Sequence, residues 1–187
     1  MDKINIVTPL SRPENLPAIA KSLTSSHPIR WWIVVDHNSP PKSPEIKLPP
    51  NVEVEIHISP YTAIAGHGHR NWVLQQLGKD CNEWFYSVDD DNILHPGFLD
   101  QLAMIQTPGI TVEQIHKDGS PRLKANLVIL NHIDTAQFAF RVNIRKNMWF
   151  KPDRYDADGL FISELYAQNP GNFTIINKPL SYYNYLR

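Results

Sequence analysis

Three consecutive carboxylates, Asp89, Asp90 and Asp91, follow directly on an apolar run from Trp84 to Val88, and Asn92 comes next. Side by side, each negative charge raises the pKa of its neighbours unless a cation neutralises them. Hard carboxylate oxygens suit Mg²⁺ or Mn²⁺, ions that commonly take one or two carboxylates from a protein and complete their shell with substrate phosphates. An ion bridging Asp91 to a diphosphate would stabilise the charge that develops on a leaving nucleotide. The other use of such residues is a turn and helix-capping cluster, since Asp and Asn are favoured at that junction. Three Asp and an Asn together favour the metal.

Asp36 ends another apolar run, Arg30 to Val35, with His37, Asn38 and Ser39 beside it. Its carboxylate can accept the N3–H of a uracil ring or close an Asx turn. Gly66-His67-Gly68-His69-Arg70-Asn71 stands at the start of a helix, where free N–H groups and the positive dipole end meet phosphate. Arg70 pairs either a diphosphate or one acid of the triplet. His67 and His69 have the spacing of a metal-ligand pair, and without a third ligand nearby they read as turn or surface residues. Further on, Asp153, Asp156, Asp158 and Glu164 surround the start of a late helix. A transfer that inverts a sugar centre needs one carboxylate to take the proton of the acceptor hydroxyl, and Asp158 is the candidate. Helix capping by Asp156 or Asp158 ahead of Leu160 is the competing use.

Secondary structure must bring these groups together. Ile4 to Thr8, ended by Pro9, and Arg30 to Val35 read as buried strands, with a helix over Pro13 to Ser22 between them and Ser11 as its N-cap. Val52 to Ile58 alternates apolar and polar with period two, the pattern of a half-exposed strand. A helix over Arg70 to Leu77 is closed by Gly78. Trp84 to Val88 reads as a strand and Pro96 to Ile105 as a helix. From Gly109 to Ile133 strands are expected around a turn at Lys117 to Pro121, with Leu127 to Leu130 the most apolar stretch. Phe138 to Val142 reads as a strand, Leu160 to Ala167 as a helix, and Phe173 to Ile176 followed by Leu180 to Leu186 as a strand and an aromatic tail. Alternating β and α in the first half implies an α/β fold with a mostly parallel sheet flanked by helices on both faces. Such sheets bind ligands at the carboxyl ends of their strands.

With 187 residues the chain suits one domain with a real core. Hydrophobic residues at 42% and charged residues at 20% are ordinary for a folded protein. Eighteen basic against nineteen acidic side chains give a formal charge of -1. No broad positive field exists for nucleic acid or an anionic membrane, so any anion must be bound locally. The sixteen prolines gather at element boundaries and punctuate the chain. A single cysteine, Cys81, rules out an internal disulfide and fits a reducing compartment. No segment approaches the ~20 apolar residues of a membrane span, and no leader pattern opens the chain. We therefore expect a cytoplasmic protein with no membrane span and no nucleic-acid partner.

The run Ile4-Asn-Ile-Val-Thr-Pro9 with Arg12-Pro13, then Trp32-Ile-Val-Val-Asp36, then Gly68-His-Arg-Asn71, then Ser87-Val-Asp-Asp-Asp-Asn92 resembles the GT-A fold glycosyltransferases. It is most similar in flavour to the inverting glucuronyltransferases that build the proteoglycan linker. The resemblance extends from about Ile4 to about Ala167 and implies a single GT-A domain over residues 1–187, Rossmann-like. The threonine-proline after the first strand and the acid after the second flank the uridine in such enzymes, which points to Thr8, Pro9, Arg12 and Asp36. Gly68, Arg70 and Asp90 join this donor set. The triplet takes the place of the family's DxD motif: its first acid meets the ribose, suggesting Asp89, and its last holds Mn²⁺ (or Mg²⁺), suggesting Asp91. Asp134-Thr-Ala-Gln-Phe-Ala-Phe140 is similar to the family's strand beneath the acceptor site. Asp158 falls six residues before Glu164-Leu165, where the catalytic glutamate of those glucuronyltransferases precedes a similar Glu-Leu pair.

Two departures stand out. The relatives carry a histidine near the C-terminus that supports the diphosphate, whereas Pro179 to Arg187 has none, and the base here is Asp instead of Glu. The chain is also shorter than the usual enzyme, as a reduced acceptor region or a catalytic module of a longer polypeptide would be. The expectation is a metal-dependent transfer of a sugar from a UDP-sugar to a hydroxyl of a glycan or another acceptor, with inversion. Trp149, Phe150 and Tyr155 are candidates to stack on an acceptor sugar or to fill the core. A sugar-nucleotide pyrophosphorylase is the rival enzyme, but it would carry a Gly-rich basic loop where this chain has Thr8-Pro-Leu-Ser-Arg-Pro13. A non-catalytic, cation-dependent sugar-binding module is the rival of another class.

Overall fold

The first apolar run forms β1 (Ile4–Leu10), and the second forms β2 (Ile29–Asp36) beside it in parallel register, with Ile4 opposite Ile29 and Leu10 opposite Val35. The computed structural model describes residues 3–37, 45–61 and 64–187. Asn38 and Ser39, named above beside Asp36, lie outside the described residues. Between the two strands a 3-10 turn, Pro13–Asn15, leads into α1 (Leu16–Ser22), which buries Leu16, Ile19 and Ala20. Then come β3 (Val52–Ser59), α2 (His67–Leu77), β4 (Trp84–Ser87), α3 (Phe98–Ala103), β5 (Gly109–Ile115), β6 (Pro121–Leu123), β7 (Phe138–Arg141), α4 (Ala157–Gln168) and β8 (Phe173–Tyr182).

These strands make one eight-stranded sheet in the order β3-β2-β1-β4-β7-β5-β6, with β8 pairing β5. The first four are parallel, as the alternation of elements predicts. From β7 onward the sheet turns antiparallel, and β8 alone returns to a parallel pairing. The result is an α/β fold on a mixed sheet.

Period two divides the strands between two cores. Ile4 and Ile6 face α1 and α3, while Val7 faces α2 and α4. Trp31 and Trp32 consequently point to opposite faces. Each indole N–H donates to β1, Trp31 to Thr8 Oγ1 and Trp32 to Asn5 Oδ1, both at 3.0 Å. An unmet buried donor costs ~1–3 kcal/mol, which explains two polar residues inside an otherwise apolar strand. On the α2 and α4 face, Phe161 of α4 stacks on Phe150 at 4.2 Å and meets Phe140 of β7 at 5.5 Å, and Phe140 meets Phe85 of β4 at 5.2 Å. Each such ring removed from water contributes ~1.5–3 kcal/mol, so the helix that carries Asp158 is fastened to β4 and β7.

Several boundaries differ from those read in the sequence. Pro9 lies within β1 instead of ending it. The Val7 carbonyl accepts from Val88 N–H on the β4 side, so Pro9, two residues on, turns its nitrogen to the edge that β4 has left. No ladder bond is lost there. Ser11 caps no helix, because its hydroxyl donates to Asp90 Oδ2 (2.8 Å). The helix expected from Pro96 is shorter, Phe98–Ala103. Leu127 to Leu130 is irregular, its N–H groups turning back on nearby carbonyls, with Ile129 N–H on Leu127 O and His132 N–H on Ile129 O. Only Val128 of that stretch is buried, so the apolar run is an anchored loop. The last expected pair of segments is one strand, β8, followed by a short return segment.

Candidate active site

Because β1, β2 and β4 run in parallel, their carboxyl ends open on the same side of the sheet. A cavity of about 580 Å³ lies there, lined by the residues after those strands and by the starts of α2 and α4. It gathers Pro9, Arg12, Asp36, Arg70, Asp89, Asp90, Asp91 and Asp158 of the residues chosen from sequence.

The triplet does not act as one group. Each carboxylate turns to a different arginine. Asp89 pairs with Arg70 Nη2. Asp90 turns back to the loop after β1, where it accepts from the N–H groups of Ser11 and Arg12, the Ser11 hydroxyl and the Arg12 guanidinium. Asn15 Nδ2 adds a bond to the Asp90 carbonyl at 2.7 Å. Asp91 Oδ2 meets Arg187 Nη2 at 2.6 Å, with Arg12 Nη1 3.8 Å away. The neutralising charge demanded by three adjacent acids is thus supplied in part by side chains from three distant segments.

Arg70, 1% exposed, is a spine of the site. It donates from Nε to Ser87 Oγ (2.8 Å) and from Nη1 to the Ala65 carbonyl (2.6 Å) and His67 Nδ1 (3.2 Å). Of the two uses read for Arg70, holding an acid of the triplet is the one this geometry displays. Since an arginine only donates, His67 Nδ1 is the acceptor, and Nε2–H faces the Tyr155 carbonyl at 3.3 Å. Burial, with Arg70 beside it, lowers the His67 pKa to about 4, so the ring is neutral at pH 7. His69 is buried inside α2, and burial depresses its pKa as well. Neither histidine lies on the surface as expected. Among the described residues no group of three or more His, Cys, Asp or Glu stands ready to hold a metal.

Gly66 is the glycine this loop requires. Its φ is +74°, and a Cβ there would sit 2.4 Å from Pro9 Cβ. Gly68 is buried within α2 and lies off the cavity lining. Thr8 is off it too, fully buried with its hydroxyl oxygen committed to Trp31. Asp36 lines the wall, and its Oδ1 lies 3.3 Å from His37 Nδ1.

On the opposite wall, Asp158 sits in the first turn of α4, accepting from Gly159 N–H (2.8 Å) and Thr135 Oγ1 (3.1 Å). It covers no further N–H of the helix, and Asp156, at the N-cap position, makes no side-chain cap bond. Burial and the nearby Asp134 raise the Asp158 pKa. Asp89 is pushed up to about 6, first by burial and then by Asp134, Asp91 and Asp158, with Arg70 pulling the other way. Its side chain stays 42% open to the cavity.

Asp134, quoted above only as the start of a strand-like segment, is a site residue in its own right. It caps the turn Thr135–Gln137, and Gln114 Nε2 (3.1 Å) and Arg122 Nη1 (3.3 Å) hold its carboxylate. Its Asp-x-x-Gln spacing is a capping-box signature that sequence alone could have flagged. Arg122, stacked 3.6 Å over the Tyr183 ring, and Arg187 had no such signal. Of the proposed aromatic platform only Tyr155, 82% exposed, lines the cavity. Phe150 is core, and Trp149 stacks with Arg145 at 4.1 Å, off the lining. Asp153 and Glu164 lie off it as well.

Seven aspartates against four arginines leave the lining three negative charges in excess, with no Lys or Glu present. The comparisons with known proteins add nothing to this: no family model and no curated protein matches the chain. No helix among the described residues is long and apolar enough to cross a membrane.

Proposed function

We propose that the chain is a metal-dependent glycosyltransferase of GT-A type that moves a sugar from a UDP-sugar to a hydroxyl of a glycan or another acceptor, with inversion. One observation carries the reading: the cavity at the carboxyl ends of the parallel strands gathers Asp36, the acidic triplet and Asp158 under an excess of negative charge. A cation that offsets this excess favours the entry of a diphosphate. The donor set fits a hard divalent ion that takes one or two carboxylates and fills its shell from phosphate, with Asp91 as the protein ligand. Bound there, Mn²⁺ or Mg²⁺ supplies charge stabilisation to the leaving diphosphate.

The protein's own residues do the rest. Asp36 accepts from the uracil N3–H, Pro9 flanks the base, and Asp89 meets the ribose while Arg70 fixes its orientation. Arg12, its side chain 37% exposed and its guanidinium 3.8 Å from Asp91, can also face phosphate. Asp158 takes the proton of the acceptor hydroxyl as that oxygen bonds to the sugar centre and the bond to the diphosphate breaks. A base with a raised pKa holds that proton better in the transition state. Tyr155 offers the acceptor a face. The reading includes a cytoplasmic location, in keeping with the lone Cys81.

Calorimetric titration of UDP tests this. UDP should bind with Mn²⁺ and weaken by more than about tenfold, ~1.4 kcal/mol, on chelation. Equal affinity with and without the metal contradicts the reading, and a sugar-binding module would ignore UDP altogether.

A further inference from the structure

After β8 the chain turns back across the acidic loop. Tyr185 N–H donates to Asn92 Oδ1 (3.1 Å) and Leu186 N–H to the Asp91 carbonyl (2.8 Å), so the backbone of this segment is tied to the residues it covers. Tyr185 is further held against Tyr182 (4.6 Å) and beneath Lys117 (5.2 Å). From this tether Arg187 reaches Asp91 Oδ2 at 2.6 Å. The carboxylate is buried, 8% exposed, whereas the Arg187 side chain is 55% exposed and can swing while the backbone stays bonded.

We propose that Arg187 is a built-in counter-cation for Asp91 that competes with the divalent ion and yields to it when a diphosphate arrives. This rests on the transferase reading of the site. Without nucleotide, Arg187 keeps Asp91 neutralised and the metal affinity low. The metal and Arg187 cannot both hold the same carboxylate oxygen. A diphosphate gives the guanidinium another anion, so nucleotide and metal strengthen one another's binding. By linkage that coupling is reciprocal. Arg12, 3.8 Å from the same oxygen, keeps its principal partner in Asp90 and stays as a constant background.

The test is Mn²⁺ alone titrated into the full chain and followed by the electron paramagnetic resonance signal of the free ion. Wild type, Arg187→Ala and Arg187→Lys are compared with and without UDP. R187A should take up Mn²⁺ alone on the order of fivefold more tightly, the scale of a partly exposed ion pair. In R187A, UDP should raise the Mn²⁺ affinity by a smaller factor than in wild type, and R187K should stay close to wild type. If wild type binds UDP with Mn²⁺ but R187A binds the metal alone no more tightly, the counter-cation idea falls and the transferase reading stands. An R187K that behaves as R187A also overturns it, because charge would then not be the cause. Failure of both wild type and R187A to take up Mn²⁺ even with UDP present removes this proposal and the reading beneath it together.

Discussion

Replacing Arg70 by Met should expose how much of this site is held by one buried charge. The side chain is 1% exposed and meets four groups: Asp89, Ser87 Oγ, the Ala65 carbonyl and His67 Nδ1. Methionine keeps the bulk and removes every donor. Breaking a buried pair by deleting one partner costs ~3–5 kcal/mol. Asp89 is 42% open to the cavity, where water reaches it, so the expected loss sits at the lower end, ~3 kcal/mol. For a chain of this size that is a fall in Tm of about 6 to 12 °C.

The loss must also depend on pH. Burial already lifts the Asp89 carboxyl to about 6, and Arg70 opposes the rise, so R70M pushes the pKa higher still. A carboxyl whose folded pKa exceeds its unfolded value of ~3.9 loses stability as pH climbs from the second to the first. Near pH ~4.5 Asp89 is largely protonated in both proteins, and the deficit of R70M reflects lost hydrogen bonds alone. It should widen through pH ~6 and be largest at about pH 8. Urea unfolding at the two extremes measures this, and the double variant R70M/D89N should recover the pH-dependent part. A deficit below ~1 kcal/mol, or one of equal size at both pH values, would show that the buried Arg70 charge does not hold Asp89 as described.

Three further outcomes are expected. Asp158→Asn should lower kcat by ~10²- to 10⁴-fold with UDP affinity in Mn²⁺ unchanged; because the proposed base must be ionised and the Asp158 pKa is raised, wild-type kcat should fall with decreasing pH at values above the ordinary Asp range, and Asp134→Asn should move that limb down. Thr8→Val should cost ~1–3 kcal/mol in urea unfolding by stranding the Trp31 indole N–H, without changing UDP affinity, since the hydroxyl lies off the cavity. Gly66→Ala should destabilise the chain by ~1–3 kcal/mol from backbone strain alone, more with the Pro9 clash, and weaken UDP binding through the displaced Pro9 wall, both read by calorimetry.

The half of the cavity beside β1, β2 and β4 is legible in the sequence because parallel βα units place loop residues directly after apolar runs. Asp36 after Val35 and Asp89 to Asp91 after Val88 could be found by following hydrophobicity alone. What the runs do not reveal is where each side chain turns. Asp90 and Asp91 are adjacent, yet one serves the loop after β1 and the other the return segment. Thr8 is polar in a strand and so resembles a ligand in the sequence, yet its partner is a tryptophan indole on the next strand. The half beyond α3 was harder. Its strands are short and antiparallel, and their pairing is set by contacts distant in sequence, so Leu127 to Leu130 read as a strand though no neighbour pairs with it.

That division has a consequence for how the site assembles. The acids of the triplet come from one loop, but their arginines come from positions 12, 70 and 187. Three adjacent carboxylates repel one another, and each raises the others' pKa until its own partner is in place. Arg12 stands on the loop after β1 and Arg70 at the start of α2. Arg187 follows β8, which is placed by its pairing with β5. Without Arg187, Asp91 lacks its nearest cation, and it is the acid proposed to hold the metal. On the proposed reading, a divalent ion at Asp91 would take over the neutralising role of Arg187. Mn²⁺ should accordingly raise Tm more in Arg187→Ala than in wild type, although the variant starts lower. Equal increments in the two proteins would mean that Arg187 and the ion do not share Asp91.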